Sequence, residues 1–431
     1  MKIPPVKGTR DFYPSDMAVR NWIIDGWKKV SLRNGFEEYD GPIFEYLKMY
    51  QIKSGDEIVE QLFSLKDRGG RDLALRPEIT PTLARMVNQR ISSLPKPIKW
   101  FSVPRLFRAE RPQKGRLREF FQWNIDIIGE DNVLADAEVI FTTIDYLQEV
   151  GLTQHDIKVK ISSRKLLAAS LNNIGIPESQ HSCLYTLLDK YRKIPSDIFE
   201  EMLVKQVNNP SIAKRIIDFM VAPTLPDLIQ IVGDNPQVQN AIQELARLDY
   251  LLGQMGVGQY CEIDHSIVRG LAYYTGVVFE VHEFLSQELR AIAGGGRFDN
   301  LLSDFGGPQV PATGMGMGDC VLEILLRKKN KLPKEIDKRH LDYFVAFVDA
   351  QFFEETIRVA MKLRRAGLTA NFSYGPAGLS KQLKQASAQQ AKKCVIIGEE
   401  FKNNQLVVKD MSTSQQKVVS EKDFFEELGS K

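Results

Sequence analysis

The chain has 431 residues and a mass of 49.0 kDa, too long for one ordinary core, so two or three domains are expected. Its composition, 43% hydrophobic and 26% charged, is that of a soluble globular protein, and no apolar run approaches the ~20 residues that cross a bilayer. A net charge of +2 does not announce a nucleic-acid binder, so any such surface must be local.

Cys183, Cys261, Cys320 and Cys394 lie far apart with no paired spacing. They fit neither a zinc site nor a disulfide framework and suggest a reducing compartment. The opening residues 1–14 lack the apolar core of a signal peptide and are too short, before the first recognisable motif, for a transit peptide. A cytoplasmic location is the expectation.

In chain order, 8–14 is an irregular lead-in. Ser15 or Asp16 can cap a helix that runs to about Arg33, with Val19, Ile23, Trp27 and Val30 at helical spacing and Gly35 ending it. Residues 37–44 read as a strand running into Pro42. Residues 62–66 and 72–75 read as a hairpin around Asp67-Arg68-Gly69-Gly70. In Arg76-Pro77-Glu78-Ile79-Thr80-Pro81, proline on both sides holds Glu78 and Thr80 in an extended turn before a helix near Thr82. A carboxylate and a hydroxyl so presented suit an α-amino group; helix capping is the bland alternative.

Residues 105–129 form the densest stretch. Arg105, Arg108, Arg111, Lys114, Arg116 and Arg118 lie between two apolar runs, with a turn at Pro112 and Gly115. Two strands joined by a long, positively charged loop are expected. On the return strand Phe120, Gln122, Asn124 and Asp126 share one face. Arginine suits phosphate, because its planar fork donates paired hydrogen bonds and keeps its charge. The stretch therefore reads as the floor of a pocket for a small phosphate-bearing ligand, against the plainer reading of a solvated basic hairpin.

A helix over 132–150, a strand over 157–162 and a mostly helical insertion over 165–258 follow. His181 and Cys183 inside it read as packing or surface residues. Residues 264–276 carry Arg269 and two tyrosines, Tyr273 and Tyr274, before a strand over 277–282. A strand over 289–293 is expected to lead into Gly294-Gly295-Gly296, which lacks the Gly-Lys-Ser/Thr of a P-loop. Residues 314–322 enter a helix ending near Arg327. After a basic linker over 328–338, alternating strands and helices predict a small, mostly parallel sheet covered by helices.

These segments carry a resemblance. Residues 107–116 resemble motif 2 of the class II aminoacyl-tRNA synthetases, in the form found in histidyl-tRNA synthetases. Arg76-Pro77-Glu78-Ile79-Thr80 is similar to that family's amino-acid-binding turn. Residues 269–274 resemble its histidine-specific motif, which other class II synthetases lack. Residues 314–322 resemble motif 3, and the helix–strand–proline order of 14–42 resembles motif 1, which builds the class II dimer interface. The region after 340, with its Val395-Ile396-Ile397-Gly398 strand, resembles the class IIa anticodon-binding domain.

The resemblance implies an α+β class II synthetase catalytic domain, an antiparallel sheet flanked by helices, over 1–330 with a helical insertion at about 166–258. It further implies a linker over 331–341 and a C-terminal α/β anticodon-binding domain over 342–431. The implied reaction is ATP-dependent attachment of L-histidine to tRNA(His) through a histidyl-adenylate, releasing AMP and diphosphate, with Mg²⁺, in a homodimer away from any membrane. Arg108 and Arg269 would be catalytic. Glu78, Ile79, Thr80, Arg108, Gln122, Asp126, Arg269, Tyr273 and Tyr274 would bind histidine, with Asp126 and Tyr274 on the imidazole. Arg108, Arg116 and Glu110 would bind ATP, and Gln113 could meet the first base pair of the acceptor end.

Four positions depart from the family pattern: Ala272 and Asp126 where Asp and Glu are usual, Phe298 for a tyrosine, and Val321 for the motif 3 arginine. Arg116 is the first candidate to replace that arginine. Val321 also favours an alternative, a non-catalytic histidine-binding regulatory paralogue. That alternative is opposed by the α/β domain after 340 and by retention of Arg108, Gln122, Arg269, Tyr273 and Tyr274. A class II synthetase of other specificity is opposed by the 269–274 motif.

Overall fold

The computed structural model describes residues 3–52, 62–269, 273–285, 290–336, 341–375 and 377–429. Gly270, Leu271 and Ala272, and residue 289 at the start of the expected strand, lie outside them. The chain divides into two compact units, Met1–Pro333 and Lys334–Lys431.

The strands of the first unit are β1 (Glu37–Glu38), β2 (Phe44–Tyr46), β3 (Ser64–Lys66), β4 (Asp72–Leu75), β5 (Ile98–Ser102), β6 (Arg105–Phe107), β7 (Glu119–Ile128), β8 (Ile157–Ser163), β9 (Cys261–Ile263), β10 (Val277–Glu283), β11 (Ala293–Arg297) and β12 (Ala312–Gly318). Nine of them form one sheet in the order β1-β5-β7-β12-β11-β10-β8-β9, with β6 beside β7. The pairings are antiparallel except at the two edges, where β1–β5 and β8–β9 are parallel. β2, β4 and β3 form a separate small sheet. The single strand expected over 37–44 is therefore two strands in two sheets, because Gly41 and Pro42 break the ladder between them.

The side-chain alternation of β7 organises this unit. Trp123, Ile125 and Ile127 are buried on one side. There Trp123 packs 6.3 Å from Trp27 and 5.5 Å from Tyr146, which come from the helices Pro14–Arg33 and Val133–Glu149. The indole N–H of Trp123 donates to Ser31 at 2.8 Å. The opposite side of β7 carries Gln122, Asn124 and Asp126. The first helix starts at Pro14, and Asp16 accepts from the Tyr13 backbone at 3.1 Å, so it caps from inside the first turn.

Arg297, at the end of β11, is locked to Asp136 in the first turn of Val133–Glu149. The contact is 2.5 Å, with both side chains at most 2% exposed. Its remaining donors reach the backbone carbonyls of Glu130 and Asn132. The insertion consists of the helices Arg164–Ile174, His181–Leu188, Ser196–Val207, Pro210–Met220, Leu225–Val232 and Pro236–Gln254. Ser163, Asn209, Thr224 and Asn235 cap four of them. His181 is buried, with Nε2 near the Ile176 carbonyl, and Cys183 is exposed.

The expected strand before the glycine run is instead the run itself, β11, because the flanking chains pair with it on both sides. The second unit has β13 (Leu341–Phe347), β14 (Ala370–Phe372), β15 (Ala391–Ile397), β16 (Gln405–Asp410) and β17 (Gln416–Ser420) in the order β14-β13-β15-β16-β17. β13 is parallel to β14 and β15, whereas β16 is antiparallel to β15 and β17. The sheet is thus half parallel rather than mostly parallel. The overlooked strand, Gln-Lys-Val-Val-Ser, is an exposed edge without an apolar period.

Breaking the Arg297–Asp136 pair leaves a buried guanidinium uncompensated. Asp136→Ala is expected to lower the unfolding free energy of the first unit by about 3–5 kcal/mol in chemical denaturation.

Candidate functional site

The polar face of β7 opens onto a trough floored by glycine. Across the sheet Asn124 pairs with Gly316, Gly316 with Gly294, Gly294 with Glu280, and Glu280 with Lys160. The next row runs Asp126, Gly314, Gly296, Val278, Ser162. In these two rows β11 and β12 present no side chain on this face, and the flanking strands carry the polar groups. The space is in use: a β-carbon at Gly316 would come within 2.7 Å of Gln122 Nε2, one at Gly314 would overlap the Asp126 carboxylate, and one at Gly294 the Arg269 guanidinium.

Arg269 enters the trough from a left-handed backbone, φ 61°, a strained conformation for a non-glycine residue that recurs at functional sites. Its Nη1 donates to Glu280 Oε1 at 2.9 Å, and Glu280 Oε2 meets His282 Nε2 at 2.9 Å. Burial works against the Glu280 charge, yet His282 and Arg269 hold its carboxyl down at about 2. Burial also opposes the Arg269 charge, and Tyr274 and Glu280 more than offset it. Glu280 was missed in the sequence, although Glu280 and His282 share one face of a strand that is apolar from Val277 to Phe279.

On the other side, Arg108 donates to the Pro77 carbonyl at 3.1 Å, and its guanidinium lies 5.2 Å from the centre of the Phe120 ring. The Phe107 N–H donates to the Arg76 carbonyl at 2.9 Å. The turn at 76–80 and the start of the basic loop are therefore one construction. Glu78 is buried and accepts a long bond, 3.5 Å, from the Tyr273 hydroxyl. Ile79 is fully buried in the core shared with Tyr274 and Phe298. The helix begins at Thr80, two residues before the expected start, with Ile79 as its N-cap and no side-chain cap bond. Capping does not account for Glu78 or Thr80.

Asp126 is 3% exposed, and its Oδ2 has no hydrogen-bond partner among the described residues. Burial alone raises its carboxyl to about 8. Tyr273 and Tyr274 stand 4.9 Å apart, and Phe298 packs edge-on against Tyr273 at 5.9 Å.

Arg116 and Glu110, both assigned to ATP from sequence, form an ion pair with each other, Glu110 being buried. The loop tip between them is tight: Gln113 and Arg116 exchange backbone hydrogen bonds, and Gly115 has φ +74°. A β-carbon at Gly115 would stand 3.0 Å from Val321 Cγ2. The basic loop therefore rests on the buried Val321, in the helix Asp319–Lys328. Asp319, at the head of that helix, takes Arg10 at 2.5 Å and the Phe121 N–H at 3.0 Å. Gln113 accepts from Arg290 at 2.9 Å.

A family model described as histidyl-tRNA synthetase matches residues 8–318, and one described as anticodon binding domain matches 342–431. The chloroplastic/mitochondrial histidine–tRNA ligase of Arabidopsis thaliana is 38% identical over 415 residues, 96% of this chain and 84% of that protein. The histidine–tRNA ligase of Thermoplasma volcanium is 36% identical over 421 residues, 97% of each. The crystal structure of a histidyl-tRNA synthetase from Nostoc superimposes with a TM-score of 0.79 at 25% identity, covering 99% of both chains.

Asp126 holds its proton more tightly in the folded chain than in the unfolded one, so it lowers stability progressively as pH rises from the usual carboxylate range towards about 8. Asp126→Asn is expected to be more stable than the parent, by a margin that grows by up to about 1.4 kcal/mol per pH unit. Urea denaturation at pH 5.5 and 7.5 reads it; an equal margin at both would show a carboxyl that titrates normally.

Proposed function

The chain belongs to the histidyl-tRNA synthetase family, and we propose that it attaches L-histidine to tRNA(His) at the expense of ATP, through a histidyl-adenylate. The observation that carries this reading is the placement of two arginines, Arg269 and Arg108, beside a glycine-floored trough that also holds a buried carboxyl, Asp126, with one oxygen unpartnered among the described residues. The curated relatives are named as ligases and do not favour the regulatory paralogue to which Val321 points.

In the first step the histidine carboxylate attacks the α-phosphate and diphosphate leaves. Positioning and charge stabilisation carry such a step, with little covalent work for the protein. Arg108 holds the carboxylate and the α-phosphate, and Arg269, kept charged by Glu280, stabilises the opposite side of the phosphorus. Glu78, the Ile79 backbone, Thr80 and Gln122 take the α-amino group, and Tyr273 closes over it. Asp126 and Tyr274 bracket the imidazole. Arg116 and Glu110 take the nucleotide. Among the described residues no group of three or more His, Cys, Asp or Glu side chains could hold a metal. Mg²⁺ would enter with the nucleotide and offset part of the phosphate charge. In the second step a ribose hydroxyl at the tRNA 3′ end attacks the adenylate carbonyl, while residues 342–431 hold the anticodon end.

Two further readings belong here. Ile43, Phe44, Tyr46 and Leu65 are each 45–57% exposed on or beside the small β2-β4-β3 sheet, an apolar surface suited to a second copy of the chain. No described helix is long and apolar enough to cross a membrane, and the four cysteines are free thiols; both features suit the cytoplasm.

Histidine-dependent exchange of labelled diphosphate into ATP is expected, and Arg269→Ala should lower it at least a hundredfold. Absence of exchange with histidine still bound would leave a binding protein in place of an enzyme. The complex shares one proton between Asp126 and the imidazole. Histidine affinity should therefore peak between the ~6.5 of free imidazole and the value of about 8 at Asp126. Below this window a proton must be released on binding, and above it one must be taken up. Calorimetric titration across pH 5.5–9, on the order of one point per half unit, reads the profile.

A further inference from the structure

A second buried polar group beside the trough has no partner among the described residues. Tyr39 follows β1, and its backbone N–H donates to the Phe101 carbonyl at 2.9 Å. β1 pairs with β5 so that Glu37 stands beside Trp100, and Trp100 stands beside Asp126. Two residues beyond Glu37, Tyr39 faces the same side of the sheet, with its ring 5.6 Å from that of Trp100. It belongs to the core that contains Tyr274 and Phe298.

Tyr39 is 8% exposed, and its hydroxyl has no hydrogen-bond partner among the described residues. The same holds for Asp126 Oδ2. The two groups are near enough for the Asp126 charge to act on the Tyr39 phenol, yet no hydrogen bond joins them. Two orphaned groups walled by aromatic rings are costly unless something bonds to both. Other hydroxyls at this wall are engaged or absent. The Tyr274 phenol interacts with the Arg269 guanidinium, and Phe298 has none.

Resting on the histidine reading, we propose that Tyr39 is a specificity-determining residue of the amino-acid pocket. Its hydroxyl accepts from the ring N–H of the substrate imidazole, while Asp126 shares its proton with the other ring nitrogen. A five-membered ring with one donor and one acceptor suits an acceptor and a donor facing the same space. A pocket built in this way rejects an isostere without nitrogens, because both protein groups then stay unpaired.

The test is calorimetric binding of L-histidine and of β-(2-thienyl)alanine, a nitrogen-free isostere, to the full chain and to Tyr39→Phe. The expected result is a histidine affinity about tenfold weaker in the variant, with thienylalanine unchanged and the melting temperature of the ligand-free protein not lowered. Equal weakening for both ligands would mean that Tyr39 only packs, and no change for either would mean that the hydroxyl is unused; each overturns the proposal. If the parent chain binds no histidine, the family reading of substrate falls with it. If it binds histidine without catalysing exchange, Tyr39 is still tested.

Discussion

The constraint on which this molecule turns is the pairing of glycine with glycine at the centre of its main sheet. Gly294 stands beside Gly316, and Gly296 beside Gly314, on adjacent strands. A side chain at any of them would strike either the backbone of the next strand or one of the groups around the trough. A sheet bare over two strands has lost the cross-strand contacts that ordinarily stabilise it. The surroundings replace them. The opposite face is sealed by Trp27, Trp123 and Tyr146, and the far end of β11 is pinned through Arg297 to Asp136. The stability that holds the trough open lies behind it and at its end, where no ligand interferes.

Around that bare floor the charged groups are already fixed by their neighbours. Glu280 is placed by its register opposite Gly294, and it holds Arg269 across the trough. His282, two residues along the same strand, holds the other oxygen of Glu280. Arg108 is tethered to Pro77 and lies over Phe120. Little reorganisation is then required when phosphate charge arrives, which is the condition under which fixed dipoles and charges stabilise a transition state best. Asp126 is the contrasting case. Among the described residues no hydrogen bond compensates its burial, so its energy is recovered when a donor is supplied from outside.

Much of this was legible in the sequence, because each feature has a local cause. The alternation of Gln122, Asn124 and Asp126 with Trp123 and Ile125 gives the two faces of β7. The prolines around Glu78, the arginines of 105–118 and the motif at 269–274 announce the site. What was not legible depends on register. Glycine has no side chain with which to signal a strand, so 293–297 reads as a loop until its two partners are known. Tyr39 lies in a segment that reads as one strand, and only the parallel pairing of β1 with β5 turns it towards Asp126. β17 is polar and exposed, and it is a strand because β16 offers it a free edge.

Val321 shows how a single departure from a family pattern is absorbed by its neighbours. An arginine there would project from the head of the helix Asp319–Lys328 towards the basic loop. With valine, the loop comes down onto the helix, and Gly115 packs where a longer side chain could not be accommodated. Only glycine serves at that point, since φ is +74° and a β-carbon would press on Val321. The same descent puts Arg116, the next residue, against the buried Glu110. A guanidinium is thus supplied by the loop rather than by the helix. It arrives already neutralised by a carboxylate, and it stays where the loop's own turn holds it. A cation delivered in this way depends on closure of the loop. The Arg290–Gln113 and Arg10–Asp319 contacts, which tie down the tip of the loop and the head of the helix, are then part of what sets its position.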